Sequence, residues 1–167
     1  MPFVKGKALA GPSCGPRRTR VLCLGNPLIE ADRAGWLVYR RLSGIGLPPG
    51  VELVEAGLAG LGLLGYFEDA DRVILIDATA GMADPGQVVL YDCATALGRT
   101  EGVHYGHDGG VPYLLGALPA VLEALPSEIL LIGLEPPVGD AAVAAAASLC
   151  QGLVESEETH DRRPLRW

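Results

Sequence analysis

No apolar run in this chain of 167 residues approaches the roughly 20 residues that span a bilayer. The longest, such as "VILI" and "EILLIGL", have the length of core strands, so the sequence contains no transmembrane helix. Acidic residues are missing from the first twenty positions, "MPFVKGKALAGPSCGPRRTR", which hold five basic residues among glycines and prolines and no apolar stretch of signal-peptide length. We read residues 1–18 as a flexible basic arm. Arg17-Arg18 resembles a twin-arginine export signal only superficially, because the apolar run after it is broken by "GNP" and is better used as a first core strand.

Clustered cysteines are also missing. Cys14, Cys23, Cys93 and Cys150 show no Cys-x-x-Cys spacing, and Cys23 falls inside an apolar strand pattern, as a buried structural thiol would. A reduced, cytoplasmic protein fits this usage. There is no Walker motif, and the glycines of "AGLAGLGLLG" lack the Gly-x-Gly-x-x-Gly register of a dinucleotide site. None of Ser13, Ser43, Ser127, Ser148 and Ser156 stands in a nucleophile elbow. These gaps argue against nucleotide cofactors and serine hydrolysis. The net charge is −7 although the first twenty residues are purely basic, which leaves the rest near about −12 and disfavours a nucleic-acid binder. A partner surface with basic character fits that balance.

What is present is an alternation of short β-branched runs and helical patterns, on a chain long enough for one domain with a substantial core. "TRVLCLG", "VELVEA", "RVILIDA", "QVVLYD" and "EILLIGLE" read as strands. Ala34, Leu37, Val38 and Leu42 repeat with helical period and predict a helix from about Asp32 to Leu42, ended by Gly44 and "LPPG". "AGLGLLGYFED" reads as a short second helix, "GVPYLLGALPAVLEAL" as a third with a kink at Pro119, and "DAAVAAAASLCQGLVESEE" as a fourth. Strands buried on both faces and interleaved with helices predict a three-layer α/β sandwich: an open, mostly parallel, twisted sheet of about five strands with helices on both faces. "PGQVVLYD" follows the third strand too closely for a helical crossover, so it is expected as an antiparallel edge strand. Residues 19–156 form the single domain on this reading, and residues 157–167 a frayed tail.

In such a sheet, ligands sit beyond the carboxyl ends of the strands where strand order reverses. That rule selects Asn26 and Asp32 after the first strand, Asp77 at the end of the third, the "HYGHDGG" segment, and Glu135 after the last. Asp32 alone reads equally as a cap for the helix that follows it. Asp77 is harder to dismiss, since a carboxylate leaving a buried strand needs a partner, a metal or a solvated cleft. His104 and His107 stand three apart, a spacing that can serve one metal but is weak by itself. Two aspartates and one histidine make an oxygen-rich site with open positions, suited to a divalent first-row ion.

Taken in order, these segments resemble the hydrogenase maturation endopeptidases, which remove the C-terminal extension from the large subunit of nickel–iron hydrogenases. The resemblance runs from about Val21 to Pro137 through "GNPLIEADRAG", "EAGLAGLGLLG", "LIDATAGMADPG", "HDGGVPYLL" and "LIGLEPP". It implies a metal-dependent, nickel-recognising endopeptidase of aspartic or metallo type, with Asp32, Asp77 and His107 as the metal-binding and catalytic set. His107 is preferred to His104 because "HDGGVPYLL" keeps the family's distance to the following helix. The nickel is expected to arrive with the precursor, and no organic cofactor is expected. The implied partner is a hydrogenase large-subunit precursor, acted on by a cytoplasmic monomer. The chain departs from the family in reading Ala31-Asp32-Arg33 where two consecutive acids and a small residue are usual. Arg33 therefore opens a second expectation, a non-catalytic assembly factor that binds the precursor or its nickel site.

Overall fold

The run Val21-Leu22-Cys23-Leu24 places apolar side chains on both sides of an extended chain, and only a strand covered on both faces can bury them all. In the structure, a computed structural model that describes residues 17–92 and 110–156, these residues lie in β1 (Thr19–Leu24), an interior strand of a five-stranded sheet. The other strands are β2 (Val51–Gly57), β3 (Arg72–Ala78), β4 (Val88–Asp92) and β5 (Glu128–Leu134), in the order β2-β1-β3-β5-β4. All neighbours are parallel except β4, which runs antiparallel to β5 from the edge, as its short connection requires. The expected arm and tail fall largely outside the described residues. Arg17 and Arg18, at the arm's end, are fastened: Arg17 reaches Ser127 Oγ at 3.1 Å and the Arg18 N–H donates to Asp71 Oδ2 at 2.8 Å.

Alternation along the strands feeds two cores. Leu22, Val73, Leu75 and Leu131 point to the face covered by Leu63 and Phe67 and by α2 (Val111–Val121). Val21, Cys23, Ile74, Ile76 and Ile132 point to the other face, covered by α1 (Ala34–Ile45) and α3 (Asp140–Glu155). Each fully buried Leu or Ile contributes about 1.5–3 kcal/mol. Helix α3 turns Ala142, Ala146 and Ala147 inward, and such small side chains leave room for a close neighbour. Cys23 and Cys150 are buried free thiols in that core, and burial pushes both thiol pKa values up, Cys150 to about 12.

Three expectations about helices change. α1 begins two residues later than its pattern suggests and runs past Gly44, ending where Gly46 adopts φ +83° and donates its N–H to the Leu42 carbonyl at 2.8 Å. The short helix expected after β2 is present as a 3₁₀ helix, Gly60–Tyr66, narrower than its pattern suggested. Leu63, with Phe67 just after it, supplies the deeply buried anchors of this segment. α2 passes through Pro119 without ending there and stops two residues later, at Val121, short of the expected Leu125.

At the amino-terminal pole, the buried Arg72 donates from Nε to Glu128 Oε2 at 2.5 Å and from Nη1 to the Leu153 carbonyl at 2.5 Å. A charge-assisted pair of this kind ties β3, β5 and the last turn of α3 together. At the opposite pole, α1 presses onto the strand ends through Gly35, where a Cβ would collide with the Leu24 carbonyl and come within 2.7 Å of the Ile76 carbonyl.

Gly35→Ala is expected to lower stability by about 3 kcal/mol, the upper end of the usual overpacking range. Gly44→Ala, in the same helix but with open space around it, is expected to raise stability by about 0.5–1 kcal/mol. Urea unfolding of the two variants checks both, and equal effects would show that α1 is not pinned at Gly35.

Candidate active site

Strand order reverses between β1 and β3: the chain proceeds from β1 outward to β2, then returns to place β3 on the other side of β1. Beyond their carboxyl ends, neighbouring connections diverge and a crevice opens. The β1–β2 register also shifts between Cys23 and Leu24, where Leu24 comes to pair with Gly57 at the end of β2. The crevice is a cleft of about 540 Å³, and Asp32 and Asp77 both line it.

Asp32 arrives by a turn that only glycine can start. Gly25 has φ +119°, and a Cβ there would collide with the Asp32 main-chain carbonyl. Asn26 then folds the chain back, its Oδ1 accepting the Leu28 N–H at 2.9 Å and its carbonyl accepting the Ile29 N–H at 3.1 Å. The Asp32 carboxylate closes the turn, with Oδ2 accepting the Asn26 N–H at 2.9 Å. It does not cap α1, whose N-cap is Arg33 and receives no side-chain hydrogen bond. The capping reading of Asp32 is thereby set aside. The Gly25 N–H also donates to the Gly57 carbonyl at 3.0 Å, fastening this turn to the one after β2.

Asp77 is the penultimate residue of β3 and follows the alternation of Val73 and Leu75 toward the α2 face. Its Oδ1 accepts the Ala78 N–H at 2.8 Å. Burial among apolar neighbours raises its pKa to about 7; the negative charge of Asp32 adds to the rise, and the Ala78 hydrogen bond opposes it. One oxygen of each carboxylate, Asp32 Oδ1 and Asp77 Oδ2, has no protein hydrogen bond among the described residues, and neither is sealed from solvent. With both residues lining the cleft, those two oxygens are acceptors open to a cation, a proton or water.

His107 and His104 lie outside the described residues, and among those described no three His, Cys, Asp or Glu side chains are grouped to hold a metal. Arg33 makes no ion pair with either aspartate: its guanidinium lies 4.0 Å from Glu30, with the side chain 43% exposed. Glu135, expected on the rim, is instead buried 7% exposed beneath it, accepting from Thr79 Oγ1, Gly81 N–H and Met82 N–H. The apolar walls escape a reading by periodicity. Ile29 and Leu58 line the cleft while remaining 42% and 62% exposed. Their signal in the sequence is position, large aliphatic residues inside Gly- and Pro-bearing turns.

Fold and cleft together define a three-layer α/β protein with paired carboxylates at the switch point of its sheet. A family model described as HycI, hydrogenase maturation protease, matches residues 37–149. The hydrogenase expression/formation protein HupD of Bradyrhizobium diazoefficiens is 30% identical over 164 residues, covering 87% of this chain and 83% of that protein. Among solved structures, the [NiFe] hydrogenase maturation protease HybD from Thermococcus kodakarensis superposes with a TM-score of 0.64 at 25% identity, over 83% of this chain and 99% of that one. The hydrogenase maturating endopeptidase HybD from E. coli shares the fold with a TM-score of 0.70 at 23% identity, over 81% and 91%. The chain belongs to the hydrogenase maturation protease family, a family of endopeptidases.

The raised pKa of Asp77 has a signed effect on stability. The folded state holds the proton up to about pH 7, whereas an unfolded aspartate releases it near pH 3.9. Between these values the native state binds more protons than the unfolded state, so Asp77 makes stability fall as pH rises through that window, with the loss complete above it. Asp77→Asn is therefore expected to be more stable than wild type at pH 8, with the advantage shrinking as pH falls toward 4. Denaturant titrations at the two pH values check this, and a pH-independent difference would contradict it.

Proposed function

We propose that this protein is an endopeptidase that removes the C-terminal extension of a nickel-loaded [NiFe]-hydrogenase large-subunit precursor. The observation that carries the reading is the delivery of Asp32 and Asp77, each with a free carboxylate oxygen, into one cleft at the switch point. Residues 19–156 act as the catalytic domain, and the metal-facing set is Asp32, Asp77 and His107. The protein works as a cytoplasmic monomer; among the described residues no helix is long and apolar enough to cross a membrane.

The nickel belongs to the substrate. Two carboxylates supply hard oxygen donors and an imidazole a borderline one, a partial shell suited to a divalent first-row ion already held in part by the precursor. Nickel so placed supplies a Lewis acid for the scissile carbonyl or for water. The protein contributes the proton traffic. Water adds to the carbonyl carbon and loses a proton, the C–N bond breaks, and the departing amine gains one. Asp77, with its pKa near 7, is poised to exchange a proton at its free oxygen at neutral pH. A precursor without nickel brings no cation to this carboxylate pair, so discrimination between the two forms would need no separate sensor.

The second reading, a non-catalytic assembly factor, rested on Arg33. Its guanidinium lies 4.0 Å from Glu30 and forms no ion pair with Asp32, which favours the protease.

Incubation with nickel-loaded and nickel-free precursor, followed by intact-mass measurement, tests the proposal. Only the loaded form is expected to lose its extension. Asp32→Ala, Asp77→Ala and His107→Ala are each expected to lower kcat/KM by about 10²–10³-fold, the scale of a single transition-state-stabilising group. Equal cleavage of both precursors, or tight binding with no change in mass, would overturn it.

A further inference from the structure

Among the described residues Glu135 is the one buried carboxylate outside the cleft, and three donors converge on it. Oε1 accepts the Gly81 N–H at 2.6 Å; Oε2 accepts the Met82 N–H at 3.2 Å and the Thr79 hydroxyl at 3.0 Å. Its main chain grips the far end of the same connection, accepting the Gly86 N–H at 2.8 Å and donating to the Gln87 carbonyl at 2.9 Å. One residue at the end of β5 thus holds both ends of the β3–β4 connection, residues 79–87. Tyr91 adds a bond from its hydroxyl to the Met82 carbonyl at 2.9 Å. Gly133 leaves the space that Thr79 fills, since a Cβ there would lie 2.6 Å from Thr79 Cγ2. The connection begins two residues after Asp77, and its Thr79 and Ala80 form part of the cleft wall.

We propose that Glu135 is a positioning residue for proteolysis: through Thr79, Gly81 and Met82 it fixes the wall beside Asp77 against which the precursor's extended chain lies. The proposal rests on the proteolytic reading above and adds to it a residue that touches no substrate. It also explains why a carboxylate stands there. The backbone donors of Gly81 and Met82 address different oxygens. A glutamine in either flip would turn its NH₂ toward one backbone N–H, leaving two donors facing each other. Only an ionised carboxylate accepts on both sides, and hydrogen bonds to a charged acceptor are the strong ones. The isosteric change is therefore not conservative at this position.

The test compares Glu135→Gln with Leu153→Ala, a cavity variant in α3 on the opposite face of the sheet. Steady-state cleavage of nickel-loaded precursor and amide hydrogen exchange at Gly81 and Met82 are measured for both. Glu135→Gln is expected to raise KM about tenfold, equivalent to about 1.4 kcal/mol, with kcat changed less than KM and with protection lost at both amides. Leu153→Ala is expected to lower the melting temperature but keep the wild-type KM and the Gly81 and Met82 protection. Glu135→Asp, which keeps both acceptors on a shorter arm, should fall between wild type and Glu135→Gln, and it replaces that variant if glutamine prevents folding. A wild-type KM in Glu135→Gln, unchanged amide protection, or the same KM rise in Leu153→Ala would overturn the proposal. A wild type that cleaves no precursor would count against the proteolytic reading instead, and the exchange comparison would then decide whether Glu135 holds the wall.

Discussion

Two carboxylates brought to the floor of a cleft with apolar walls repel each other, and much of the surrounding structure serves to hold them there. Neither is neutralised by a cation among the described residues: Arg33 faces Glu30, Arg20 pairs with Glu52, and Arg17 and Arg72 converge on Glu128 at the far pole. Backbone N–H groups hold them instead, one from Asn26 on Asp32 and one from Ala78 on Asp77. A single neutral donor stabilises a carboxylate less than a salt bridge does, so the pair stays electrostatically unsatisfied. That condition is what the proposed encounter with a positively charged centre would relieve.

The scaffold accounts for how such a site persists. Close packing of α1 against the ends of β1 and β3, possible because Gly35 has no side chain, fixes where the first turn ends. The left-handed Gly25 fixes where it begins. Asp77 is held by a strand with neighbours on both sides, β1 and β5, and by the connection that Glu135 grips from beneath. The stabilising interactions lie elsewhere, in the two apolar cores and in the Arg72 cluster, so the cleft can remain strained in charge without unfolding the domain.

Much of this architecture was legible in the residues. The β-branched runs, their alternation with helical patterns and the short link before "QVVLYD" defined the sheet and its antiparallel edge, because burial on both faces and chain length leave few other solutions. Asp77 could be read as significant because a charge at the end of a buried strand is costly. The rest depended on backbone geometry that periodicity does not encode. Whether Asp32 caps a helix or closes a turn is decided by the φ of Gly25, well before the helix begins at Ala34. Whether Glu135 faces the cleft or lies beneath it is decided by a loop that folds over it. The 3₁₀ form of Gly60–Tyr66 follows from glycines whose freedom lets tertiary packing choose. His107 was legible only through the family pattern, and it lies outside the described residues.

The central claim is that Asp32 and Asp77 act as one electrostatic unit. A ¹³C carboxylate NMR titration of Asp77, in wild type and in Asp32→Asn, measures it directly. The account predicts titration near pH 7 in wild type and a clear downward move when the Asp32 charge is removed. An Asp77 that titrates near 4 in wild type, or one that does not respond to the loss of Asp32, would contradict it.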